Sequence, residues 1–427
     1  MRVELAYGRG RLPIEVPDAV TTVLEPTYVT GLPDETAAVR AALRHPLNTR
    51  PLREHVTPGD TVAISICDST RPMPSHTVLP VVLDELSHIP PGDIVVLVAT
   101  GTHRPTTDNE LREMLGTELL DRCDVVNHSA FDETELRRLP DVEPRVPVWL
   151  NRRWLDADVR ITTGFVEPHF FAGFSGGPKM VAPGLAGLET TMRLHDAEMI
   201  GSPQARWGVT DGNPIHDAIR RIARQCGVDF SVDVAINRDR HITEVAAGEL
   251  FTVHAKIRDI VRRSAMQRFS SPFDVVVTTN SGYPLDQNLY QTVKGLSAAA
   301  QVVKEGGIIL CASECTDGLP SHGEYEGILG ERDTPRELLE MICAPGHRRH
   351  DQWEVQVQAQ IQRRADVYLK TDGLSDAQVR GAHLTPINDI SAATRDGLSR
   401  HGPAATLCVL PEGPQTIPYL DNREDAS

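Results

Sequence analysis

The chain contains 427 residues with a formal net charge of −16, and its 40% hydrophobic content is ordinary for a globular protein large enough for two domains. The acidic balance argues against a nucleic acid partner, because binding to phosphate backbones requires a basic surface. Neither an N-terminal apolar segment nor an apolar run of about 18 residues occurs, so we expect no signal peptide, no membrane span and a cytoplasmic location. The seven cysteines are scattered, which favours reduced thiols over a disulfide framework.

The N-terminal part of the chain alternates apolar strands with amphipathic helices. Strands are predicted in RVELAYG, LPIEVP, TVAISIC, DIVVLVAT and CDVVNH and over Val159–Thr163, and helices over 33–46, over 75–89 and in LREMLG. A capping box from Thr107 to Glu110 begins the last of these helices. This alternation is the pattern of a parallel α/β sheet, in which ligands bind beyond the carboxyl ends of the strands.

The C-terminal part repeats this pattern after a long helix. Two strands are predicted in CGVDFSVDVAIN and ITEVAAG, and an amphipathic helix spans Leu250–Phe269. A strand, a loop, a helix and a strand then follow, a Gln-rich helix covers 350–364, and the tail after about Gly413 is expected to be irregular. We therefore predict two α/β domains with mainly parallel sheets, residues 1–268 and residues 269–427, and an active site in the cleft between them.

Polar residues follow three of the predicted strands in the first domain. Asp68 and Arg71 lie in CDSTRP, His103 lies in ATGTHRPT, and His169 follows the strand Val159–Thr163. Arginine is a natural fork for a carboxylate, and two histidines that face one cleft can serve as an acid and a base. Taken alone, Asp68 and Arg71 can equally be an ion pair that caps a turn, and either histidine can be structural.

A glycine-rich loop follows His169 and combines several groups with chemical uses. The segment EPHFFAGFSGGPK places Gly176 and Gly177 before Lys179, and His195 follows on a predicted helix. Glycine N–H groups can cradle phosphate, a lysine can neutralise it or act as a nucleophile, and histidine is a common metal ligand. The loop lacks the spacing of a Walker A motif. The alternative is an ordinary strand-to-helix turn with incidental histidines.

A third group of polar residues lies in the predicted second domain. Tyr290, Gln291 and Lys294 occupy one face of a helix, because residues three and four apart are neighbours on a helix surface. A solvated helix face is the alternative interpretation.

Together these motifs resemble the nickel-pincer lactate racemase family. The resemblance runs through the whole chain in order: CDSTRP, ATGTHRPTT, EPHFFAGFSGGPK, a later histidine and YQTVK. It implies a nickel-pincer mononucleotide (nickel pyridinium-3-thioamide-5-thiocarboxylic acid mononucleotide) covalently attached at Lys179, with His195 completing the nickel coordination. Gly176 and Gly177 are then implied to lie against its phosphate. Soft sulfur ligands plus an imidazole suit Ni(II).

The resemblance also implies a reaction. The expected activity is racemisation or epimerisation of a 2-hydroxy acid, lactate or a larger analogue, by reversible hydride transfer from the α-carbon to the cofactor through a 2-keto acid. Two residues are implied to be the acid and base and five to bind or support the substrate and cofactor: His103 and His169, then Arg71, Lys294, Asp68, Tyr290 and Gln291. Cofactor-biosynthesis proteins are the implied partners for loading.

Two other functions fit the same residues. A metal-independent isomerase or lyase would use His103 and His169 as simple bases, and its α-hydrogen would exchange with solvent. A non-catalytic carrier would bind the nucleotide without racemising anything. The side chain of the substrate does not follow from the shared motifs.

Overall fold

A computed structural model of the chain describes residues 1–143, 145–320 and 323–420. Helices and mainly parallel sheets are distributed over two compact units, which confirms the predicted α/β class. Within the described residues, no helix is both long and apolar enough to cross a lipid bilayer.

The strands are numbered in chain order. The first ten are β1 Arg2–Tyr7, β2 Gly10–Glu15, β3 Thr21–Val23, β4 Val62–Cys67, β5 Ile94–Ala99, β6 Asp124–Asn127, β7 Leu136–Val142, β8 Val146–Asn151, β9 Val159–Phe165 and β10 Pro168–His169. The others are β11 Gly173–Phe174, β12 Phe230–Ile236, β13 Ile242–Gly248, β14 Met266–Phe269, β15 Phe273–Thr279, β16 Val303–Ala312, β17 Ala365–Lys370, β18 Thr385–Pro386, β19 Leu407–Leu410 and β20 Ile417–Leu420.

The α-helices are numbered in the same way. Those before residue 270 are α1 Glu35–Arg44, α2 Ser75–Glu85, α3 Asp108–Leu115, α4 Thr117–Leu120, α5 Arg152–Asp156, α6 Leu188–Leu194, α7 Ala197–Ile200, α8 Pro214–Cys226 and α9 Leu250–Ala265. Those after it are α10 Leu289–Ala300, α11 Tyr325–Leu329, α12 Pro335–Ile342, α13 Gln352–Arg364, α14 Asp376–Gly381 and α15 Ile390–His401.

Contacts within the chain define a larger and a smaller unit. The larger unit comprises Tyr28–His195 and Ser202–Arg263. The smaller unit comprises Met1–Thr27, Asp196–Gly201 and Ser264–Ser427. The sequence prediction divides the chain once, at residue 268, whereas these contacts group two earlier segments with the C-terminal residues.

The larger unit is built on a six-stranded sheet with the order β13-β12-β9-β4-β5-β6. Its neighbouring strands run parallel except for β13, which pairs with β12 in the antiparallel sense. Every residue of β4 is buried, as expected for a strand in a parallel sheet that is covered on both faces. Apolar residues of α1, α2 and α3 form one core with β4, β5, β9 and β12.

The smaller unit contains a second six-stranded sheet, with the order β18-β17-β16-β15-β19-β3, and all of its neighbouring strands are parallel. Helices α10 and α13 pack their apolar residues against one face of this sheet. The hairpin β1–β2 and helix α15 pack against the opposite face. Each face of the sheet is therefore covered, and β15 is buried along its whole length.

Two predicted elements differ from the structure near the end of α9 and at the C-terminus. The predicted helix Leu250–Phe269 ends at Ala265, and Met266–Phe269 forms β14 instead. Its partner is β20, so the prediction of an irregular tail after Gly413 is wrong for Ile417–Leu420. Pairing between strands about 150 residues apart overrides the local helical pattern. The rest of that tail, residues 421–427, lies outside the described residues.

Candidate active site

The predicted polar loops lie at one edge of the sheet in the larger unit. Strands β9, β4 and β5 are adjacent, and their carboxyl ends lead into the loops that carry His169, Asp68 with Arg71, and His103. The backbone N–H of Gly101 donates to the carbonyl oxygen of Gly184 at 3.0 Å, which joins the His103 loop to the segment after Lys179. The sheet order therefore brings together loops that are far apart in sequence.

His103 is oriented by a buried carboxylate. Its Nδ1 donates to Oδ2 of Asp68 at 2.8 Å, and Thr70 donates to the other oxygen at 2.7 Å. Burial acts to raise the pKa of Asp68, but the hydrogen bonds and the positive charge of Arg71 outweigh it and the pKa is lowered. With Nδ1 bound to the carboxylate, the neutral ring of His103 presents Nε2 as its basic nitrogen. The His103 side chain is 55% exposed, so this nitrogen is accessible.

Arg71 forms an ion pair with Glu167, which the sequence analysis did not single out. The Arg71 side chain is only 27% exposed, and the backbone N–H of Arg71 donates to the Asp68 carbonyl at 3.2 Å, which closes a turn after β4. Arg71 is thus held beside both carboxylates. Any further carboxylate that binds this guanidinium has to compete with Glu167.

His169 is buried in a small hairpin. Strand β10, which contains it, pairs with β11. The ring stacks on Phe170 at a centroid distance of 5.0 Å and meets Phe171 edge to face at 4.5 Å. Its Nδ1 accepts a long hydrogen bond of 3.3 Å from the N–H of Ala172. Nδ1 is therefore an acceptor in His169 but a donor in His103, so the two neutral imidazoles have opposite tautomers.

Lys179 lies in a short 3-10 helix, Gly177–Met180, and its residue is partly buried. Ser65 on β4 fixes the end of this helix by donating its hydroxyl to the Met180 carbonyl at 2.9 Å. Ser175 fixes its start, since its hydroxyl donates to the Phe165 carbonyl at 2.9 Å. The lysine is therefore presented by a rigid turn that is anchored to the sheet.

The two glycines before Lys179 are required by packing within the protein. Gly176 and Gly177 have φ values of +72° and +47°, and a Cβ on Gly177 would approach the ring of His254 to 2.5 Å. The Gly177 N–H donates to Oδ1 of Asp233 at 3.1 Å. Both facts account for the glycines without a phosphate, so a cradle for the cofactor phosphate stays a prediction.

Asp233 is a buried acid that the sequence analysis missed. It lies on β12 beneath the glycine loop, and its Oδ2 has no hydrogen-bond partner among the described residues. Burial raises its pKa to about 7, although the Gly177 N–H opposes this shift. A buried carboxyl with a raised pKa therefore supports the loop that carries Lys179.

His195 follows α6 rather than lying inside a helix as predicted. It occupies the C-terminal cap position of α6, and its Nδ1 donates to the carbonyl of Thr191 at 2.7 Å. This bond favours the tautomer in which Nε2 carries the lone pair that a metal needs. The ring of Phe171 contacts both His195, at a centroid distance of 5.1 Å, and His169.

The predicted residues of the smaller unit lie together on α10. Nζ of Lys294 donates to Oε1 of Gln291 at 2.5 Å, and Trp353 donates its indole N–H to the Tyr290 hydroxyl at 3.0 Å. Glu354 is a further buried acid on α13 that the sequence analysis missed. Burial raises its pKa to about 8 despite the positive charge of Lys294.

Comparison with known proteins identifies the family. Residues 7–208 match the lactate racemase N-terminal domain, and residues 269–417 match the lactate racemase C-terminal domain. The chain belongs to the lactate racemase family. It is 32% identical over 422 residues to the lactate racemase of Thermoanaerobacterium thermosaccharolyticum, covering 97% of this chain and 98% of that protein. It is also 32% identical to the lactate racemase of Lactiplantibacillus plantarum, covering 96% and 98%.

Solved structures agree with this membership, which makes the chain an isomerase of the racemase class. The lactate racemase apoprotein of Thermoanaerobacterium thermosaccharolyticum superposes with a TM-score of 0.91 at 31% identity, covering 98% of this chain and 100% of that one. A Thermotoga maritima protein has a TM-score of 0.71 at 20% identity, covering 92% of this chain and 100% of that one, and supports the fold alone.

Proposed function

We propose that this racemase interconverts the two configurations of a 2-hydroxy acid, lactate or a larger analogue, with a nickel-pincer mononucleotide attached at Lys179. The observation that carries the proposal is the pair of imidazoles with opposite tautomers, His103 after β5 and His169 after β9, the two strands that flank β4. The Lys179 turn is bonded to the same edge of the sheet. The lactate racemases to which the chain is similar support the substrate class.

The donor groups of the larger unit fit such a cofactor. Among the residues that the structure describes, no cluster of three or more His, Cys, Asp or Glu side chains can hold a metal by itself. His195 offers one imidazole with its Nε2 set for coordination, so other ligands must come from a bound organic group. Lys179 would provide the covalent attachment. When bound, the group would supply a hydride acceptor and donor for the α-carbon, so that the substrate passes through a 2-keto acid.

The two histidines would move the hydroxyl proton. Nε2 of His103 takes the proton from the substrate hydroxyl, and the Asp68 carboxylate stabilises the imidazolium that forms. His169, as an imidazolium, gives a proton to the carbonyl oxygen at the other face. Its Nδ1 must then release the long bond from Ala172, which costs little at 3.3 Å. In the opposite direction His169, which then keeps its proton on Nδ1, takes the hydroxyl proton at Nε2, and the His103 imidazolium gives its Nε2 proton to the carbonyl oxygen.

Charged residues would orient the substrate. The planar guanidinium group of Arg71 would bind the substrate carboxylate, and Glu167 holds this group in place until the substrate binds. Lys294, Gln291 and Tyr290 are the corresponding proposed residues of the smaller unit. We also propose that host cofactor-biosynthesis proteins load the chain, and that it works in the cytoplasm.

Intact mass and nickel content test the proposed cofactor. The chain is produced in a host that makes the nickel-pincer nucleotide, beside Lys179→Ala and the matched control Lys256→Ala, an exposed lysine that pairs with Glu244 on the same unit. We expect a nickel-bearing adduct on the wild type and on Lys256→Ala but not on Lys179→Ala. An adduct of equal yield on Lys179→Ala would refute the attachment site.

Deuterium retention separates the proposed reaction from the two alternatives. Lactate labelled at the α-carbon is converted in ordinary water by the loaded enzyme, and the product is analysed for deuterium. Hydride transfer keeps the label, whereas a metal-independent isomerase or lyase that forms a carbanion loses it to solvent. A carrier binds the nucleotide but gives no product with lactate or larger 2-hydroxy acids.

A further inference from the structure

A second polar pocket lies on the larger unit, and no step of the proposed reaction uses it. Its volume is about 350 Å³, which is within the range of small-molecule sites. Helix α8, from His216 to Arg224, and the turn before it line the pocket. The charged and titratable side chains of its lining are His216, Arg220, Arg221, Arg224, Asp211 and Asp217.

The pocket lining includes a buried histidine whose ring nitrogens have no hydrogen-bond partner among the described residues. His216 is 1% exposed, and neither ring nitrogen makes a hydrogen bond with a described residue. The ring lies near the carbonyl of Ala172, but their geometry falls outside that of a hydrogen bond. Burial, together with the charges of Arg258 and Arg220, lowers its pKa to about 4, so the ring is neutral at pH 7. A buried polar side chain without a protein partner is uncommon in native proteins and requires a bound ligand or an ordered water to complete its hydrogen bonds.

The arginines around His216 are held in place by an aromatic ring. The guanidinium carbons of Arg220 and Arg224 lie 4.8 and 5.1 Å from the ring centroid of Phe251. These cation–π contacts restrict the two guanidinium groups, whose N–H groups can still donate to a ligand. Arg258, whose Nε and one Nη are buried without a described partner, adds positive charge near His216.

The charge balance favours an anion that can reach several donors at once. Three arginines and two aspartates, Asp211 and Asp217, line the pocket, so its net charge is positive with His216 neutral. Asn213 already accepts the first free backbone N–H groups of α8, which leaves side chains as the donors for a ligand. A phosphate has three terminal oxygens for this purpose, whereas a carboxylate has two.

We propose that this pocket binds a small phosphate monoester, with His216 and Arg220 as its principal donors. The volume exceeds what a free phosphate ion requires, so the carbon part of an ester has room. The site also contacts the cofactor loop: His216 stacks on His254 at 5.8 Å, and His254 bonds to the Ser175 carbonyl at 3.0 Å. The proposal concerns binding by the chain itself and does not depend on the proposed reaction.

Isothermal titration calorimetry tests the binding of a phosphate monoester to the full chain, which is produced in a host without the nickel cofactor. The probes are ribose 5-phosphate, inorganic phosphate and, as a carboxylate control, succinate. We expect ribose 5-phosphate to bind, and Arg220→Gln and His216→Gln to weaken it at least about tenfold, the effect of losing one charge-assisted hydrogen bond. Arg112→Gln, an exposed arginine on α3 of the same unit, should bind as the wild type.

The relative affinities of the three probes identify the class of ligand that the pocket binds. Equal affinity for the ester and for inorganic phosphate would show a free-phosphate site and overturn the ester assignment. Tighter binding of succinate would overturn the phosphate class. No heat up to about 10 mM ester, or unchanged binding by Arg220→Gln, would remove the site altogether. Arg220 lies partly at the surface, so this variant stays informative if His216→Gln does not fold.

Discussion

The buried acid beneath the glycine loop leads to a prediction about pH. On folding, burial moves the pKa of Asp233 from 3.8 to about 7. Because a raised carboxyl pKa means that the folded state binds more protons than the unfolded state, stability falls as pH rises from about 4 to 7 and then levels off. At about 1.4 kcal/mol per pKa unit, the penalty above pH 7 is about 4 kcal/mol. Asp233→Asn removes this penalty, since its side-chain oxygen still accepts the Gly177 N–H and carries no charge at any pH.

Urea denaturation of the cofactor-free chain at pH 5, 6, 7 and 8 measures this effect. We expect Asp233→Asn to exceed the wild type by about 2 kcal/mol at pH 5, where the unfolded carboxyl is already ionised, and by about 4 kcal/mol at pH 8. Asp259→Asn, an exposed aspartate on α9, serves as the control and should differ from the wild type by the same small amount at each pH. A difference between Asp233→Asn and the wild type that does not change with pH would refute the reasoning.

Three further predictions follow from single contacts. In the same denaturation assay, Gly177→Ala should lose about 2 to 5 kcal/mol of unfolding free energy, because its Cβ would collide with the His254 ring and its φ is positive. The control Gly212→Ala has a positive φ but open space around its Cβ, and it should lose about 1 kcal/mol. Asp68→Asn should lower kcat of the loaded enzyme by roughly 10²-fold with little change in KM, because the tautomer of His103 is no longer fixed. An unchanged kcat in steady-state kinetics would contradict this role of Asp68. Glu354→Gln should be as stable as the wild type at pH 5 and more stable above pH 8, and thermal unfolding that falls equally with pH in both proteins would contradict it.

Local patterns in the sequence predict much of the fold. Strand β4 is a run of six apolar and small residues between turn-forming segments, and the capping box at Thr107 is present in the structure. These features depend on neighbours in sequence, which is why they can be read without a structure. The sheet edge that carries Asp68 and His103 follows from the rule that parallel strands place their carboxyl ends together.

The partners of the site residues do not follow from such patterns. Glu167 pairs with Arg71 across 96 residues of sequence, and Asp233 meets Gly177 across 56. The two-residue period of a strand places Ser231 and Asp233 on one face of β12, but it does not show that the glycine loop returns over that face. A single acid in the otherwise apolar segment VDVAI was nevertheless a usable signal, because a charge in a buried strand requires a compensating contact.

The hydrogen-bonding state of His216 likewise does not follow from the sequence pattern. At positions i, i+4 and i+8 of α8, His216, Arg220 and Arg224 share one helix face, which the sequence already indicates. Only the structure shows that the first of them is buried without a hydrogen bond while the other two rest on Phe251. The role of a histidine in a helix is therefore better judged by whether its ring nitrogens have hydrogen-bond partners than by its position. Burial without partners costs about 1 to 3 kcal/mol unless a ligand offsets this cost.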